Sequence, residues 1–170
     1  MTSERDAQFA AIVAQHGDAI WRLGRGYERD GERRRDLHQE ILVALWRALP
    51  GFEGRCSLRT FVFRVAHNTA CSHVVRDRRR RGEELHTVEE LEAQSPERPP
   101  DEGLDDRIAL ERLAELVRSL APLDRQLVLL HLEGLEPAAI AEVTGLTKTN
   151  VSTKVSRIKT LLAKRLGMEG

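Results

Sequence analysis

The chain has 170 residues, enough for one ordinary domain or for two small ones. Hydrophobic residues make up 41% of it and charged residues 32%, which excludes a chain that is disordered as a whole. Aromatic residues amount to only 4%, which disfavours a β-sandwich and suits the packing of aliphatic helices. The formal net charge is zero, and this argues against a nucleic-acid-binding protein only if the charges are evenly spread.

The charges are segregated along the chain. Arginines crowd residues 76–81, and a second basic group lies at 148–159. Most residues of the spacer at 83–106 that carry charge are acidic. Two basic blocks around an acidic spacer allow contact with nucleic acid at two places and a different role for the middle.

The two cysteines and the polar N-terminus bear on the compartment. Cys56 and Cys71 lack the spacing of a disulfide framework and suit a reducing compartment. The first ten residues lack the apolar core of a signal peptide. No apolar run approaches the ~20 residues needed to span a bilayer. We therefore expect a cytoplasmic protein that makes no membrane contact of its own.

The predicted elements of the first half are helices. Apolar residues recur at helical spacing over 9–23, and the charged, glycine-punctuated stretch at 24–35 is interpreted as a frayed helix end or a loop. An amphipathic stripe at 37–49 ends at Pro50. Ser57 then caps another predicted helix, which runs into the arginine block.

The second half begins with a proline-rich stretch that predicts an extended segment burying little surface. Helical order resumes at Ile108, and Pro122 ends that helix or begins the next. Two further helices are predicted at about 137–144 and 147–166. Strand-like alternation is absent, so the sequence predicts an all-α fold. We divide it into two small helical domains, at residues 1–82 and 107–170, joined by an acidic flexible linker at 83–106.

The segment 136–151 is typical of a DNA-reading helix-turn-helix. Ala141 supplies the small residue that lets two helices cross closely, Gly145 tolerates a positive φ at the turn, and Thr147 can cap the second helix. The alternative without a DNA-binding role is a tight helical hairpin with a solvated outer face. Asn pairs with adenine, and Lys or Arg binds guanine or phosphate, so the exposed face suits a major groove. The candidate DNA-binding residues are Lys148, Thr149, Asn150, Ser152, Thr153, Lys154 and Arg157.

Two motifs in order resemble the extracytoplasmic-function group of RNA polymerase sigma factors. Residues 36–49 and 52–70, followed by the arginine run, are similar to the second conserved region of that family. Residues 120–130, followed by the helix-turn-helix, are similar to its fourth region. The resemblance implies a factor that binds core RNA polymerase and directs promoter recognition, DNA opening and transcription initiation. It also implies an anti-sigma factor as a partner, and no cofactor.

The resemblance places polymerase binding on the helix that begins the first motif. In that family this helix docks on a coiled coil of the largest polymerase subunit, a role that would fall on Asp36, Gln39 and Glu40, with Arg47 nearby. Asp36 and Glu40 lie one turn apart and share a face. The acids would also be favoured near a helix N-terminus by the helix dipole, and both explanations can hold.

The resemblance places the −10 promoter element on the helix at 58–75 and the −35 element on the helix-turn-helix. Asn68 would help to hold a base flipped out of the duplex, which requires amide donors and acceptors to offset the lost stacking. Phe61 lies in the apolar stripe and is predicted to pack in the core, whereas Phe63 lies off that stripe and is the better candidate for DNA contact. Family members usually carry Trp and Tyr at these two positions. The predicted −10 residues are Phe63, Arg64, His67, Asn68, Ser72, Arg76, Arg78, Arg79 and Arg80.

Two further possibilities are a metal site and an enzyme active site. His67 and Cys71 lie one helical turn apart with His73 nearby, but no fourth ligand is evident and no metal site is predicted. The sequence lacks a phosphate-binding loop, a nucleophile elbow and an HExxH motif, so an enzyme is not expected. The family threads its linker into the polymerase cleft, and a solvated hinge explains the acidic spacer equally well. The remaining alternatives are a stand-alone helix-turn-helix regulator that does not bind polymerase and a helical adaptor that binds another protein.

Overall fold

The computed structural model describes residues 3–94 and 105–168, and these residues form an all-helical fold, which confirms the predicted class. None of the helices in these two ranges is both long and apolar enough to cross a membrane. The helices are α1 (Glu4–Tyr27), α2 (Gly31–Ala48), α3 (Leu58–Arg81), α4 (Val88–Ala93), α5 (Asp106–Ser119), α6 (Pro122–Leu132), α7 (Pro137–Thr144) and α8 (Lys148–Leu166), with a 3-10 turn at Leu49–Gly51.

The predicted starts of α3 and α8 are confirmed by their caps. The Ser57 hydroxyl oxygen accepts a hydrogen bond from the amide of Thr60 at the start of α3. The Thr147 hydroxyl oxygen accepts one from the amide of Asn150 at the start of α8. Each cap satisfies one of the amides that a helix N-terminus leaves without a partner. Gly145 has a φ of 78° at the end of α7, the conformation that the turn of a helix-turn-helix needs.

Helices α1 to α3 pack around a core of their own. The stripe of α2 consists of Leu37, Ile41 and Leu45, and all three side chains are fully buried. They pack with Ile12 and Ile20 of α1 and with residues of α3. This three-helix unit holds the first motif on one outer face and the arginine block at the far end of α3.

Helices α4 to α8 form the second core. Leu127 and Leu130 of α6, Ile140 of α7 and Val151 and Ile158 of α8 belong to one buried cluster, which holds both helices of the helix-turn-helix against α6. The α6 helix begins at Pro122, as one of the two predicted alternatives had it, because proline at the first helical position needs no amide partner.

The prediction of a frayed end or loop at 24–35 was wrong. Helix α1 continues to Tyr27 and α2 begins at Gly31, so only a short connection separates them. The glycines are close-approach positions rather than helix breakers. A Cβ atom on Gly26 would lie 2.6 Å from both methyl groups of Leu129 in α6. Gly26 is thus one of the places where α1 touches the second half of the molecule, and the place where the backbone of α1 comes close to a side chain of α6.

The acidic spacer begins with packed structure, which the sequence pattern did not indicate. Residues 88–93 form helix α4, and Val88 is fully buried in the second core. Thr87 and Glu90 form a capping box at its start. His86 exchanges backbone hydrogen bonds with Ser119 and Ala121, which ties the approach to α4 onto the α5–α6 connection. The proline-rich stretch expected to be extended lies outside the described residues.

The two halves of the chain pack against each other along α1 and α3. Arg22 of α1 forms an ion pair with Glu133 at 2.9 Å, and Arg64 of α3 donates to the carbonyl oxygen of Glu142 at 2.6 Å. Phe63 of α3 inserts into the core of the second half. The contact therefore covers one side of α3 with helices α6 and α7.

Candidate nucleic-acid interface

The predicted polymerase-binding residues share the outer face of α2. Asp36, Gln39 and Arg47 are exposed, and Glu40 is half-buried. They line a shallow groove with Val43, whose surface is 46% exposed. The groove is thus formed by charged and amide side chains around one exposed aliphatic side chain.

Glu40 connects this face to α3. Its carboxylate lies 2.8 Å from the guanidinium of Arg76 and 3.5 Å from Nδ1 of His73. Arg76 was predicted to contact DNA, so the structure brings a predicted polymerase residue and a predicted DNA residue into one ion pair. The side chain of Arg76 is 59% exposed and that of Glu40 is 41% exposed, and a pair so accessible to solvent is weak enough to exchange for another partner.

The outer side of α3 carries the predicted −10 residues that are free to meet DNA. Asn68 and Ser72 are exposed and lie one turn apart. The next turns carry Arg78, Arg79 and Arg80, which are exposed as well. Their position at the C-terminal end of the helix favours cations and leaves them available for phosphate.

Phe63 and His67 lie on the opposite side of α3 and are not accessible in this conformation. Phe63 is 1% exposed and His67 is fully buried. Phe63, the predicted better candidate for DNA contact than Phe61, is covered by the second half of the chain. It could contact DNA only in a conformation in which that half has moved away. Phe61 stacks against Phe52 with ring centroids 4.8 Å apart and packs beside the first core, where the sequence placed it.

His67 is held neutral by its surroundings. Burial lowers its pKa to about 3. Tyr27 is also fully buried, and burial raises its pKa, so its hydroxyl stays protonated. The hydroxyl oxygen of Tyr27 lies 2.6 Å from Nδ1 of His67, and the tautomer of the neutral imidazole decides which of the two atoms donates. Nε2 of His67 is buried and has no hydrogen-bond partner in the described part of the chain.

Most of the predicted −35 residues lie open on the first turns of α8. Lys148, Thr149 and Asn150 are exposed, and so are Ser152 and Thr153. Val151 and Val155 point into the core and orient the helix. The N-terminal end of a recognition helix is the part that reaches base edges, so the predicted reading face is accessible here.

The cations further along α8 are already paired. Nζ of Lys154 lies 3.0 Å from Asp124 Oδ1 and 3.4 Å from Glu89 Oε1. Burial alone would lower the pKa of Lys154, but the hydrogen bond to Asp124 raises it. The guanidinium of Arg157 lies 3.3 Å from Glu89 and 2.8 Å from Glu92. Lys154 and Arg157 thus differ from the other predicted −35 residues in facing carboxylates of the same chain.

The ligand set considered for a metal is not brought together. His67 bonds Tyr27, whereas His73 Nε2 lies 3.0 Å from the carboxylate of Glu28. Among the described residues, a different group converges, formed by Glu28, His73 and Asp77. Arg33 donates two hydrogen bonds to Asp77, at 2.8 and 3.0 Å, and this guanidinium supplies the positive charge that a metal would bring.

Sequence reasoning missed the buried arginine that joins the two halves. Arg125 is 1% exposed and donates to the carbonyl oxygens of Arg118, Leu120 and Tyr27, at 2.5, 2.9 and 3.5 Å. The only available signal was the placement of Asp124 and Arg125 inside an apolar run, where solvated charges are not expected. The paired acids of α4 gave no signal, because isolated glutamates in an acidic spacer are ordinary.

Comparison with known proteins agrees with this layout. The family model of Sigma-70 region 2 matches residues 12–81, and that of Sigma-70, region 4 matches residues 110–162. The RNA polymerase sigma-H factor of Pseudomonas aeruginosa is 27% identical over 93% of this chain and 86% of its own length. The RNA polymerase sigma factor CnrH of Cupriavidus metallidurans is also 27% identical, over the same shares. The ECF RNA polymerase sigma factor SigG of Mycobacterium tuberculosis is 50% identical over 46 residues, which is 27% of this chain and 12% of SigG.

Two solved structures share the fold. The sigma factor RpoE, in complex with the anti-sigma factor NepR from Bartonella quintana, superposes with a TM-score of 0.70 at 18% identity, covering 96% of this chain and 99% of RpoE. CnrH in complex with the cytosolic domain of CnrY gives a TM-score of 0.65 at 22% identity, covering 95% of this chain and 89% of CnrH. At these identities the likeness concerns the fold alone.

Proposed function

Because this chain belongs to the extracytoplasmic-function sigma factors and directs transcription initiation, we propose that its two halves bind two elements of one promoter while α2 binds core RNA polymerase. We assign residues 1–82 to the polymerase and the −10 element, and residues 107–170 to the −35 element. The observation that carries this proposal is the presence of two separate outer faces, on α3 and α8, that combine amide or hydroxyl groups with cations.

The polymerase contact is proposed for the α2 groove. Asp36 and Gln39 are free to pair across an interface, and Val43 offers the apolar contact that a stable interface needs at its centre. Arg47 lies at the other end of the same groove. The pair between Glu40 and Arg76 would release its arginine toward DNA when a polymerase cation replaces it.

The −10 contact is proposed for the outer side of α3. Asn68 has the amide needed to hold an unpaired base, and Ser72 lies one turn further along. Arg78, Arg79 and Arg80 supply phosphate contacts without sequence information. Phe63 would join this surface only when the second half of the chain moves away, because it lies in the second core. Arg64 would first have to leave the carbonyl oxygen of Glu142, and His67 is buried against Tyr27 and Phe63.

The −35 contact is proposed for the start of α8. Asn150 would read adenine and Lys148 guanine or phosphate, with Thr149, Ser152 and Thr153 beside them. Lys154 and Arg157 would add backbone contacts once they leave their carboxylates. Neither half alone should bind a promoter strongly, because attachment to polymerase raises the effective concentration of the second contact.

We further infer an anti-sigma factor as a partner, since the structure of RpoE described above is that of a complex with one. Two surfaces are available to such a partner. One is the groove on α2, and the other is the contact between the two halves of the chain, where α1 and α3 meet α6 and α7, which we call the seam. We expect the chain itself to act as a cytoplasmic binding factor rather than as an enzyme.

The experiment is transcription in vitro with purified core polymerase on a library of promoter fragments. We expect RNA from a subset of fragments only when the chain is present, and aligned start sites should reveal both promoter elements. Asn68→Ala should reduce open-complex formation on these fragments, whereas Gln8→Ala, which removes an exposed amide from α1, should not.

Three results would contradict parts of the proposal. If core polymerase starts RNA equally well without the chain, it does not act as an initiation factor in this way. Duplex binding without polymerase association would favour a stand-alone helix-turn-helix regulator. An Asn68→Ala variant that opens DNA normally would remove α3 from the −10 element.

A further inference from the structure

The acidic helix α4 lies along the recognition helix. Glu89 meets Lys154 and Arg157, and Glu92 meets Arg157 a turn further on. At the far end, Arg165 donates to the carbonyl oxygens of Leu91 and Gln94, at 2.9 and 3.2 Å. Positions 154, 157 and 165 fall on one stripe of α8, so the six residues of α4 follow that stripe over three turns.

Buried hydrogen bonds fix the position of α4 against α6 and α8. The amide of Val88 donates to Oδ2 of Asp124 at 2.8 Å, while Oδ1 of the same carboxylate holds Lys154. The buried Asp124 thereby links the start of α4 to the recognition helix. Hydrogen bonding to its own backbone amide lowers the pKa of Glu89, and Lys154 and Arg157 lower it further, so Glu89 is ionised at neutral pH.

The part of α8 that α4 leaves open differs in kind from the part that it covers. The open end carries Asn150 and its exposed neighbours, which read base edges. The covered stripe carries Lys154 and Arg157, two cations suited to phosphate, which gives affinity without sequence information. Carboxylates at 2.8 to 3.4 Å occupy the positions that phosphate oxygens would take.

We propose that α4 is an internal competitor for the DNA backbone, which neutralises the phosphate-binding stripe of α8 in the free chain and leaves its base-reading end accessible. The inference rests on the proposed DNA-binding role of α8. It predicts that the free chain binds arbitrary duplex DNA more weakly than it would with the stripe uncovered, because the contribution of Lys154 and Arg157 to the sequence-independent affinity is withheld. Arg157 is 42% exposed and its two carboxylates about as much, so a polyanion can displace them.

The test is fluorescence anisotropy of the full chain with a labelled duplex that lacks any promoter sequence, over a range of NaCl concentrations. The variant is Glu89→Gln with Glu92→Gln, which removes both charges and keeps side-chain size. The control is Glu84→Gln with Glu111→Gln, which changes the net charge equally at exposed positions that form no hydrogen bond or ion pair with α8.

We expect the α4 variant to bind roughly tenfold more tightly at low salt than the control. Its plot of log affinity against log salt should be steeper by about one, because each additional phosphate contact contributes about 0.9 and Lys154 is still held by Asp124. In an Arg157→Gln background the gain should disappear. Binding of the duplex to the unaltered chain should also speed hydrogen exchange of the amides of α4, since the helix must leave its stripe.

Each result decides the matter. If the α4 variant and the control have equal affinity and equal salt slopes, α4 does not compete with DNA, and the proposed function stands. If the gain persists in the Arg157→Gln background, the stripe on α8 is not what α4 withholds, and the inference is overturned. If no variant binds duplex at the lowest salt, α4 withholds no measurable affinity and the inference is overturned. If the chain in addition fails to support transcription, the DNA-binding role of α8 falls with it.

Discussion

The two helices proposed to face the promoter, α3 and α8, are protected in different ways. On α3, Phe63 lies in the core of the other half of the chain, and His67 is buried beside Phe63 and Tyr27, so a movement of one half relative to the other is needed to uncover Phe63 and the flank of His67. On α8 the reading end is open, and only Lys154 and Arg157 are engaged, by carboxylates. DNA opening by α3 would thus depend on separation of the two halves, whereas phosphate binding by α8 would depend on competition between carboxylates and phosphates.

The buried side chains of α3 are of types that can serve both in a protein core and in DNA contact. An aromatic ring and a neutral imidazole can serve as core in the closed chain and as a stacking surface in the open one. The cover is imperfect, since Nε2 of His67 and Nε2 of Gln126 are buried without hydrogen-bond partners in the described part of the chain. Each such group costs about 1 to 3 kcal/mol, so the seam holds less tightly than its buried area suggests.

The largest effect should come from Arg125→Ala. Truncation leaves the carbonyl oxygens of Arg118, Leu120 and Tyr27 without their donor in a buried place. At about 1 to 3 kcal/mol for each unsatisfied group, we expect a loss of at least ~3 kcal/mol in the free energy of unfolding, measured by urea denaturation.

The control for this experiment is Arg107→Ala, which removes an exposed arginine from α5 and should change stability by less than ~0.5 kcal/mol. If Arg125→Ala costs no more than the control, the buried guanidinium does not join the halves. The comparison between a closed α3 and an open α8 would then lose its main structural support.

Acid should open the seam and leave α8 unchanged. The pKa of His67 is about 3 when it is buried, whereas an exposed imidazole has a pKa of ~6.5. Above pH 6.5 the ring is neutral in both states and the closed state keeps its full stability. As the pH falls from 6.5 toward 3, protons bind only the open state, which costs the closed state about 2 kcal/mol at pH 5. Small-angle scattering should show a larger radius of gyration at pH 5 than at pH 7.5.

The matched variants separate this effect from general acid sensitivity. His67→Gln should remove most of the expansion. His38→Gln should keep it, because His38 contacts Trp21 within the first half, although burial lowers the pKa of His38 too. His16 lies beside Phe63, and burial and Arg59 lower its pKa, so it adds to the effect with the same sign. Expansion that is unaltered in His67→Gln would place the acid-sensitive group elsewhere.

The local elements were predictable because short-range rules determine them. The caps at Ser57 and Thr147, the glycine at the turn and the stripe of α2 follow from hydrogen-bonding capacity and helical spacing. The exposed residues at the start of α8 followed once the apolar anchors of that helix were recognised. These features depend on neighbours within a few residues along the chain.

The arrangement of the two halves was not predictable, because it depends on pairs far apart in sequence. Phe63 looked available for DNA since it lies off the stripe of α3 that faces the first core, yet it faces the second core instead. Gly26 looked like a helix breaker until its neighbour Leu129 was known. The ion pairs of α4 join residues about 65 positions apart along the chain, and single charges do not reveal such partners.

A smaller steric change at the seam should open it without altering charge. In Gly26→Ala, the new Cβ would meet the methyl groups of Leu129 at 2.6 Å. Because the tip of the leucine can rotate, we expect a cost to the closed state of about 1 kcal/mol, at the low end for overpacking. Gly17→Ala gains the same helix propensity, and its Cβ finds only an ordinary contact 3.7 Å away. If the two variants have equal radii of gyration, α1 does not meet α6 as closely as described.

The smallest effects on DNA affinity should distinguish base-specific contacts of α8 from its sequence-independent phosphate contacts. Asn150→Ala should weaken binding of the proposed −35 duplex by about 1 kcal/mol and leave the salt slope unchanged, because an amide reads a base edge without releasing counterions. Lys148→Ala should lower affinity for every duplex by a similar amount and reduce the slope by about 1, as expected of a phosphate contact. Anisotropy titrations with specific and scrambled duplexes measure both quantities. If Asn150→Ala weakens both duplexes equally, the open end of α8 adheres without reading, and base selection must depend on the face of α3 that the closed chain covers.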